Sequence, residues 1–196
     1  MSDFLSADYW NTRYLHADFG WDLGAISPPL QHYFDQLINP NLKILIPGAG
    51  NAYEAEYLIN KGFRHVYVCD LAPEPLKNLK ERCPAIREEQ LLLGDFFELQ
   101  ESKFDLIVEQ TFFCAIDPLK RRAYFEKMHA LLNSGGKLVG LLFNDVLNSN
   151  RPPFGGNKHE YEKYFEDTFT VRTYAACHNS IKPRAGRELF INLVKK

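Results

Sequence analysis

The sequence predicts an α/β fold with a doubly wound, mostly parallel sheet. Apolar strand-like runs alternate with helical segments, a glycine turn follows the first clear strand, and the last two strands have no helix between them. Regular alternation of strand and helix is typical of parallel sheets with right-handed crossovers. Two strands joined by a short connection instead predict an antiparallel pair, so we expect the last strand to be antiparallel.

Composition limits the classes of protein to which the chain can belong. It has 196 residues, which fits one domain with a substantial core, and a net charge of −2 without a basic block. We therefore expect no nucleic-acid binding, because such affinity rests on clustered Lys and Arg. No apolar run reaches the length of a membrane span, and the start, MSDFLSADYW, lacks the features of a signal peptide.

The cysteines and histidines indicate neither a disulfide framework nor a metal site. The four cysteines have no CxxC spacing, and the six histidines are far apart in the sequence. Reduced cysteines are typical of intracellular proteins, so we expect a cytoplasmic protein without a metal.

The first forty residues are predicted to form a helical cover with many aromatic side chains. Ser6 is expected to cap a helix that carries Trp10 and Tyr14 on one face, and Trp21 follows in an irregular stretch. Two interpretations of these three rings stay open, namely ordinary packing and a lid over a ligand. A second helix is predicted after Ser27, with Pro28 and Pro29 in its first turn and a core stripe of Leu30, Tyr33, Phe34, Leu37 and Ile38.

Residues 43–70, KILIPGAGNAYEAEYLINKGFRHVYVCD, read as a strand, a glycine turn, a helix and a second strand. Gly48 and Gly50 remove Cβ atoms where the chain turns. Asn51 and Glu54 are predicted to form a capping box, and Gly62 to end the helix. Asp70, at the end of the second strand, is well placed to accept hydrogen bonds from ribose hydroxyls. The third glycine of the dinucleotide fingerprint is missing, so an exposed loop acid remains the alternative.

Further strands and helices are predicted after Asp70. A helix starts at Pro73, and the strand within QLLLGDFFEL is followed by Asp95 and Phe96. A fourth strand, 104–109, leads to Gln110 and Phe112, a long helix runs from Asp117 to the pair Gly135–Gly136, and KLVGLLF is a fifth strand. The long polar loop after Phe143 contains Phe154, and DTFTVRTYAAC and RELFINLVKK are the final strand pair.

These features point to a positively charged nucleoside. Ligands of open α/β sheets bind outside the carboxyl ends of the strands, where the glycine turn, Asp70, Asp95 and Gln110 are expected. Asp70 would accept from ribose, Asp95 from an exocyclic amine, and Phe96 would pack on the purine. An aromatic wall of Trp10, Tyr14, Phe112 and Phe154 would favour a cation such as a sulfonium. S-adenosylmethionine therefore fits better than a dinucleotide.

Several segments together resemble the thiopurine S-methyltransferase-like group of class I S-adenosylmethionine-dependent methyltransferases, which includes thiol and halide methyltransferases. The segments are WNTRYLHADFGWDLGAISPPL, ILIPGAGNAYEAEYL, LLLGDFF, FDLIVEQTFFCAIDP, RPPFG and SIKPRAGRE. The resemblance implies a Rossmann-like sheet of seven strands, mostly parallel, with an antiparallel last strand. It also implies a single methyltransferase domain over residues 1–196, with a helical cover at 1–40 and the Rossmann-like core at 41–196.

By position, the resemblance also assigns residues to the site. The cofactor would be contacted by Trp10, Tyr14, Trp21, Gly48, Gly50, Asp70, Asp95, Phe96 and Gln110. The acceptor would be bordered by Phe112, Phe154 and Arg184. Tyr14 and Gln110 differ from the family pattern, which commonly has tryptophan at the first position and arginine or tyrosine at the second. The EQTFFCAIDP loop is closer to that of the thiol-methylating members than to that of the thiopurine enzymes.

The expected reaction is transfer of a methyl group from S-adenosylmethionine to a small soft nucleophile, most readily a thiol. S-adenosylhomocysteine is the product. No catalytic residue is assigned, because a thiolate needs no strong general base. For Arg184, a role in steering an anionic acceptor and a surface pair with Glu188 are both open, and Cys114 is expected to be a core residue. Alternatives are a halide or thiocyanate methyltransferase, a NAD-dependent oxidoreductase and a non-catalytic cofactor-binding module. We expect a monomer or weak dimer.

Overall fold

The computed structural model describes residues 5–100 and 103–196, which form two compact units that divide after Gln100. We call residues 5–100 the N-terminal part and residues 103–196 the C-terminal part, and we describe each by itself.

The N-terminal part contains three parallel strands and four α-helices. Its strands lie in the order β3-β2-β1, with Leu45 opposite Tyr67 and Asp70 opposite Leu93. In chain order its elements are α1 (Ala7–Leu15), α2 (Pro28–Phe34), β1 (Lys43–Pro47), α3 (Tyr53–Asn60), β2 (His65–Asp70), α4 (Pro73–Arg82) and β3 (Leu91–Leu93).

Strand β1 is buried on both faces, as its apolar run predicts. Ile44 and Leu45 have no exposed surface, and Ile46 is only 2% exposed. Leu58 of α3 and Leu79 of α4 are also fully buried. Helices therefore cover β1 and β2, and the residues that follow these strands are left at the carboxyl ends.

The beginning of α3 differs from the predicted capping box. The N-cap is Ala52, in the left-handed region at φ +53°, and no side chain caps the helix there. The side chain of Asn51 instead donates to Asp22 and accepts from Asn78, and the side chain of Glu54 accepts from the N–H of Ser27 at 3.2 Å. The capping-box prediction is wrong because these side chains bond to residues that are distant in sequence.

Other helix boundaries agree with the sequence in part. Ser6 caps α1, and its hydroxyl accepts from the N–H of Tyr9 at 3.1 Å. Gly62, at φ +92°, follows the end of α3 as predicted. Helix α2 ends at Phe34, earlier than predicted, so Ile38 is 95% exposed and its assignment to the core is wrong. The helical stripe stops where the helix itself ends.

The C-terminal part contains four strands in the order β4-β5-β7-β6. Strands β4 and β5 are parallel, whereas β7 lies antiparallel between β5 and β6. The described strand pairs within the two parts are mostly parallel, as expected from the sequence, and the antiparallel last strand is confirmed. The elements are β4 (Phe104–Gln110), α5 (Arg121–Leu131), β5 (Leu132–Phe143), α6 (Lys158–Glu162), β6 (Phe169–Ala176) and β7 (Glu188–Lys195).

Strand β5 begins earlier than predicted. Helix α5 ends at Leu131, and Gly135 and Gly136 lie inside the strand instead of ending the helix. Phe104 pairs with Leu132 and Leu106 with Lys137, so β5 carries extra residues in a bulge. Gly135, at φ +73°, supplies the left-handed conformation that this bulge needs.

The polar loop after β5 is held by backbone and side-chain contacts. Asp145 bridges to Gly156, and Asn148 bridges to Phe154. Arg121 of α5 is 2% exposed and donates to the carbonyl of Gly155 and to the carboxylate of Glu160, each at 2.7 Å. The loop around Phe154 is therefore anchored to α5.

Candidate functional site

Asp70 lies against the glycine turn that follows β1. One carboxylate oxygen accepts from the N–H of Gly50 at 2.8 Å, and the other accepts from the N–H of Ala72 at 2.9 Å. Asp70 is 9% exposed, so its interpretation as an exposed loop acid is wrong. Burial raises the pKa of Asp70, and these backbone hydrogen bonds oppose that effect. A carboxylate has about four acceptor positions, so capacity remains to accept from a ligand hydroxyl.

The glycine turn and the aromatic residues of the cover meet at Gly50. Gly50 has φ +52°, and a Cβ built there would lie 2.6 Å from the hydroxyl oxygen of Tyr14. Trp21 donates its indole N–H to that hydroxyl at 3.4 Å, and the rings of Trp10 and Trp21 are 5.5 Å apart, edge to face. The structure thus brings Trp10, Tyr14, Trp21 and Gly50 together, as a lid would require. Gly48, at φ +56°, belongs to the same turn.

Carboxylates and one guanidinium lie near this aromatic cluster. Burial raises the pKa of Tyr14 strongly, and the nearby carboxylates of Asp70 and Asp22 raise it further. The guanidinium of Arg13 stacks over Trp21, 4.5 Å from the ring centre, and it is paired with Asp18. Aromatic faces and carboxylates together create an environment that attracts a cation.

Asp22 and Asn51 form a polar connection that sequence reasoning missed. Asn51 donates its side-chain N–H to Asp22, and Asn78 of α4 donates to the side-chain oxygen of Asn51 at 3.2 Å. This links the loop that carries Trp21 to the glycine turn. A polar residue within an aromatic stretch indicates that Asp22 has a hydrogen-bond partner, but the sequence does not identify Asn51, because it is 29 residues away.

Asp95 and Phe96 lie beyond β3, as predicted. Gly94 donates its N–H to the carbonyl of Asp70 at 2.9 Å, which places this turn beside the end of β2. Asp95 accepts from the N–H of Phe97 at 2.9 Å and begins a short 3₁₀ turn. Phe96 is 3% exposed.

In the C-terminal part, β4 ends at Gln110. The side-chain oxygen of Gln110 is buried and has no hydrogen-bond partner among the described residues. Phe112 follows in the next loop and is half-buried, and Phe154 is 4% exposed. Phe154 donates its N–H to the carbonyl of Cys114 at 2.7 Å, so the structure brings the two acceptor-side segments together.

Arg184 is buried and is not the surface residue considered as an alternative. It is 8% exposed, and its guanidinium lies 3.4 Å from the carboxylate of Glu188, which is 4% exposed. The pairing with Glu188 is confirmed. The guanidinium also lies 5.6 Å from the centre of the Phe143 ring.

The cysteines are packing residues in this structure. All four are free and buried. Burial raises the pKa of the Cys114 thiol to about 12, so it is protonated at neutral pH and is a poor nucleophile. Among residues 5–100 and 103–196, no group of His, Cys, Asp or Glu side chains has the arrangement of a metal site. Within the same ranges, no helix combines the length and hydropathy that crossing a membrane requires.

Comparisons with known proteins identify the family. The sequence model of the family described as "Thiopurine S-methyltransferase (TPMT)" matches residues 5–189. A probable thiol methyltransferase 2 from Arabidopsis thaliana is 32% identical over 188 residues, which cover 93% of this chain and 83% of that protein. Thiocyanate methyltransferase 1 from Brassica oleracea is 28% identical, covering 86% of this chain and 76% of that protein.

Solved structures confirm the fold. A TehB-like SAM-dependent methyltransferase from Corynebacterium glutamicum superposes with a TM-score of 0.69 at 20% identity, covering 97% of this chain and 98% of that chain. At 20% identity this similarity shows the Rossmann-like methyltransferase fold. The two sequence comparisons show the family. The chain therefore belongs to the thiopurine S-methyltransferase family, whose members are S-adenosylmethionine-dependent methyltransferases.

Proposed function

We propose that this enzyme transfers the methyl group of S-adenosylmethionine to the sulfur of a small thiol. The observation that carries the proposal is the position of Asp70, whose carboxylate is held at the glycine turn by the N–H of Gly50. A thiocyanate or halide acceptor is the second candidate, because a thiocyanate methyltransferase is among the relatives.

The N-terminal part fits the cofactor. The carboxylate of Asp70 would accept from the ribose hydroxyls, and the turn at Gly48 and Gly50 would let the amino-acid chain approach the backbone. Asp95 would accept from the adenine amine, beside Phe96. Trp10, Tyr14 and Trp21 would cover the sulfonium, supported by the negative field of Asp22 and Asp70.

Residues of the C-terminal part would bind the rest of the reacting groups. The unpartnered side-chain oxygen of Gln110 would accept a hydrogen bond from the cofactor. Phe112 and Phe154, which are held together through the Cys114 carbonyl, would border the acceptor. Arg184 would attract an anionic acceptor while its pairing with Glu188 keeps it in place.

Methyl transfer to a thiolate depends on positioning of the reacting groups more than on proton transfer. When bound, S-adenosylmethionine would supply an electrophilic methyl group. A thiolate would form the new bond to the methyl carbon as the bond from that carbon to the sulfonium sulfur breaks, which gives a thioether and S-adenosylhomocysteine. A thiol near its usual pKa already provides some thiolate at neutral pH, so no protein base is assigned. The aromatic residues would exclude water and align the acceptor, which is the main source of acceleration in such a displacement.

Calorimetry with S-adenosylhomocysteine tests the cofactor site. We expect micromolar binding to the wild type and an affinity at least about tenfold lower for Asp70→Asn, which loses the charge that strengthens hydrogen bonds from ribose. Glu81→Gln is the matched control, because it makes the same change on an exposed part of α4. Circular dichroism confirms that both variants fold. Binding of NAD that is as tight as that of S-adenosylhomocysteine would overturn the cofactor assignment.

A panel of acceptors with labelled methyl donor tests the reaction. Hydrogen sulfide, aromatic thiols, thiopurines, thiocyanate and iodide are compared at equal concentration. We expect the highest kcat/KM on a thiol. Preference for thiocyanate or iodide would select the second candidate, and tight cofactor binding without labelling of any acceptor would favour a non-catalytic binding module.

Three further properties complete the proposal. Residues 1–196 act as one methyltransferase domain, with residues 1–40 as a helical cover and residues 41–196 as the Rossmann-like core, which agrees with a family match over residues 5–189. The protein works in the cytoplasm on a small molecule and binds neither nucleic acid nor membrane, in keeping with its net charge of −2. It is a monomer or weak dimer.

A further inference from the structure

Glu109 is a buried carboxyl group close to the end of β4. Its side chain has no exposed surface, and it directly precedes Gln110. Removing a carboxylate from water is costly unless hydrogen-bond donors replace the water. The groups that Glu109 binds therefore explain how it is tolerated there.

Three donors converge on this carboxyl group. One oxygen accepts from the backbone N–H of Phe112 at 2.8 Å and from that of Phe113 at 3.0 Å. The other oxygen accepts from the hydroxyl of Tyr124, on α5. Two of the donors thus belong to residues 110–114, which we call the 110–114 loop, and the third belongs to the helix that follows.

The 110–114 loop depends on this support. Thr111 lies in the left-handed region at φ +59°, so the chain turns sharply there and the next two N–H groups point back towards Glu109. Without the carboxyl group, the buried N–H of Phe113 and the partly buried N–H of Phe112 would lack this acceptor, which is unfavourable.

The neighbouring strand makes room for Glu109. Gly140 of β5 is directly opposite Glu109 in the register. A Cβ built at Gly140 would overlap the carbonyl oxygen and the Cβ of Glu109. A glycine in the middle of a buried strand weakens it, unless another group must approach closely, as Glu109 does here.

The supported loop carries residues assigned to the site. Gln110 begins it, Phe112 lies within it, and the carbonyl of Cys114 accepts from the N–H of Phe154. We propose that Glu109 is a positioning residue for methyl transfer, which holds the 110–114 loop in the shape that places Phe112 and Phe154 against the acceptor. This inference rests on the proposed roles of those two aromatic residues.

Because Glu109 can be protonated, a positioning role makes kcat/KM depend on pH, whereas a purely structural role would not. Burial raises the pKa of Glu109 to about 7, while the hydrogen bonds from Tyr124, Phe113 and Phe112 lower it. Within residues 5–100 and 103–196, the titratable side chains that interact with it are Tyr124 from α5 and Cys114 from the loop itself. Protonation occupies one acceptor position, so the loop is held best by the ionised form.

The test measures kcat/KM against pH for the wild type and Glu109→Gln. Thiocyanate serves as the acceptor because it stays ionised throughout, and the rate on a thiol is divided by the thiolate fraction. We expect the wild-type value to rise with pH around a midpoint near 7. For Glu109→Gln we expect no pH dependence between about pH 5.5 and 8.5 and a value about tenfold below the wild-type plateau.

A second variant moves the same midpoint. Tyr124→Phe removes a donor that stabilises the ionised form of Glu109, so the rise in kcat/KM shifts to higher pH. Binding of S-adenosylhomocysteine stays within about threefold of the wild type in both variants, because Gln110 is held by its pairing with Leu141 at the end of β4 and the loss concerns the acceptor. Glu126→Gln, on the exposed face of α5, is the control and keeps the wild-type profile.

Defined outcomes overturn the inference. A rise with pH that persists in Glu109→Gln assigns the titration to another group, and a kcat/KM equal to the wild-type plateau shows that the carboxylate positions nothing. A flat wild-type profile also contradicts it. Turnover by the wild type tests the proposed function separately, since failure there removes activity from every variant.

Discussion

Replacing Gly50 by alanine tests whether the aromatic cover and the glycine turn act together. Gly50 is in the left-handed region at φ +52°, and an added Cβ would lie 2.6 Å from the hydroxyl oxygen of Tyr14. Ordinary contact begins at 3.4 Å, so the hydroxyl must move by about 0.8 Å. That movement disturbs the hydrogen bond that this hydroxyl accepts from the Trp21 indole N–H, which is already 3.4 Å long.

Two costs follow from Gly50→Ala. The left-handed backbone destabilises the fold by about 1–2 kcal/mol for a residue with a Cβ. Displacement of Tyr14 and Trp21 removes an estimated further 1–2 kcal/mol from cofactor binding, which corresponds to a dissociation constant raised about 5- to 30-fold. Titration calorimetry with S-adenosylhomocysteine measures the second cost, and thermal unfolding measures the first.

Gly62→Ala is the matched control for this experiment. Gly62 also has a positive φ, +92°, but nothing lies within 4 Å of a Cβ built there. It therefore bears the backbone strain without touching Tyr14. Loss of affinity equal to that of Gly50→Ala, or unchanged affinity in Gly50→Ala, would refute the coupling between the cover and the turn.

Two further predictions concern polar groups. Asn51→Ala breaks the hydrogen bond to Asp22 that links the Trp21 loop to the glycine turn, so we expect the affinity for S-adenosylhomocysteine to fall about threefold to tenfold. The control is Asn41→Ala, in an exposed turn, which leaves that affinity unchanged. Equal affinities for the two variants would contradict this prediction. Glu109 has a folded-state pKa raised to about 7 from 4.5, so the folded state binds its proton more tightly than the unfolded state. The resulting stabilisation is complete below about pH 4.5 and is lost as the pH rises through 7, by at most about 3 kcal/mol. Urea unfolding should show this decrease of the free energy of unfolding with pH in the wild type, and Glu109→Gln should lack it. The same pH dependence in both proteins would refute the prediction.

The order of the elements follows from local patterns. The apolar run of Ile44, Leu45 and Ile46 predicts a strand buried on both faces, and Gly62 marks the end of α3, because periodicity and backbone conformation depend on neighbouring residues. The same reasoning fails for Ile38, since the stripe continues beyond the point where the helix stops.

Sequence alone determined the α/β class, the antiparallel final strand, the glycine turn with Asp70, and, through the combined motifs, the family. Tertiary structure decided which polar groups are partners. Asn51 binds Asp22 instead of capping α3, Arg184 is buried beside Glu188, and Glu109 collects three donors from the loop and from α5. The physical reason is that burying a polar group is costly unless a donor or acceptor lies within about 3 Å of it. The folded chain supplies these partners from residues that are distant in sequence or on another element.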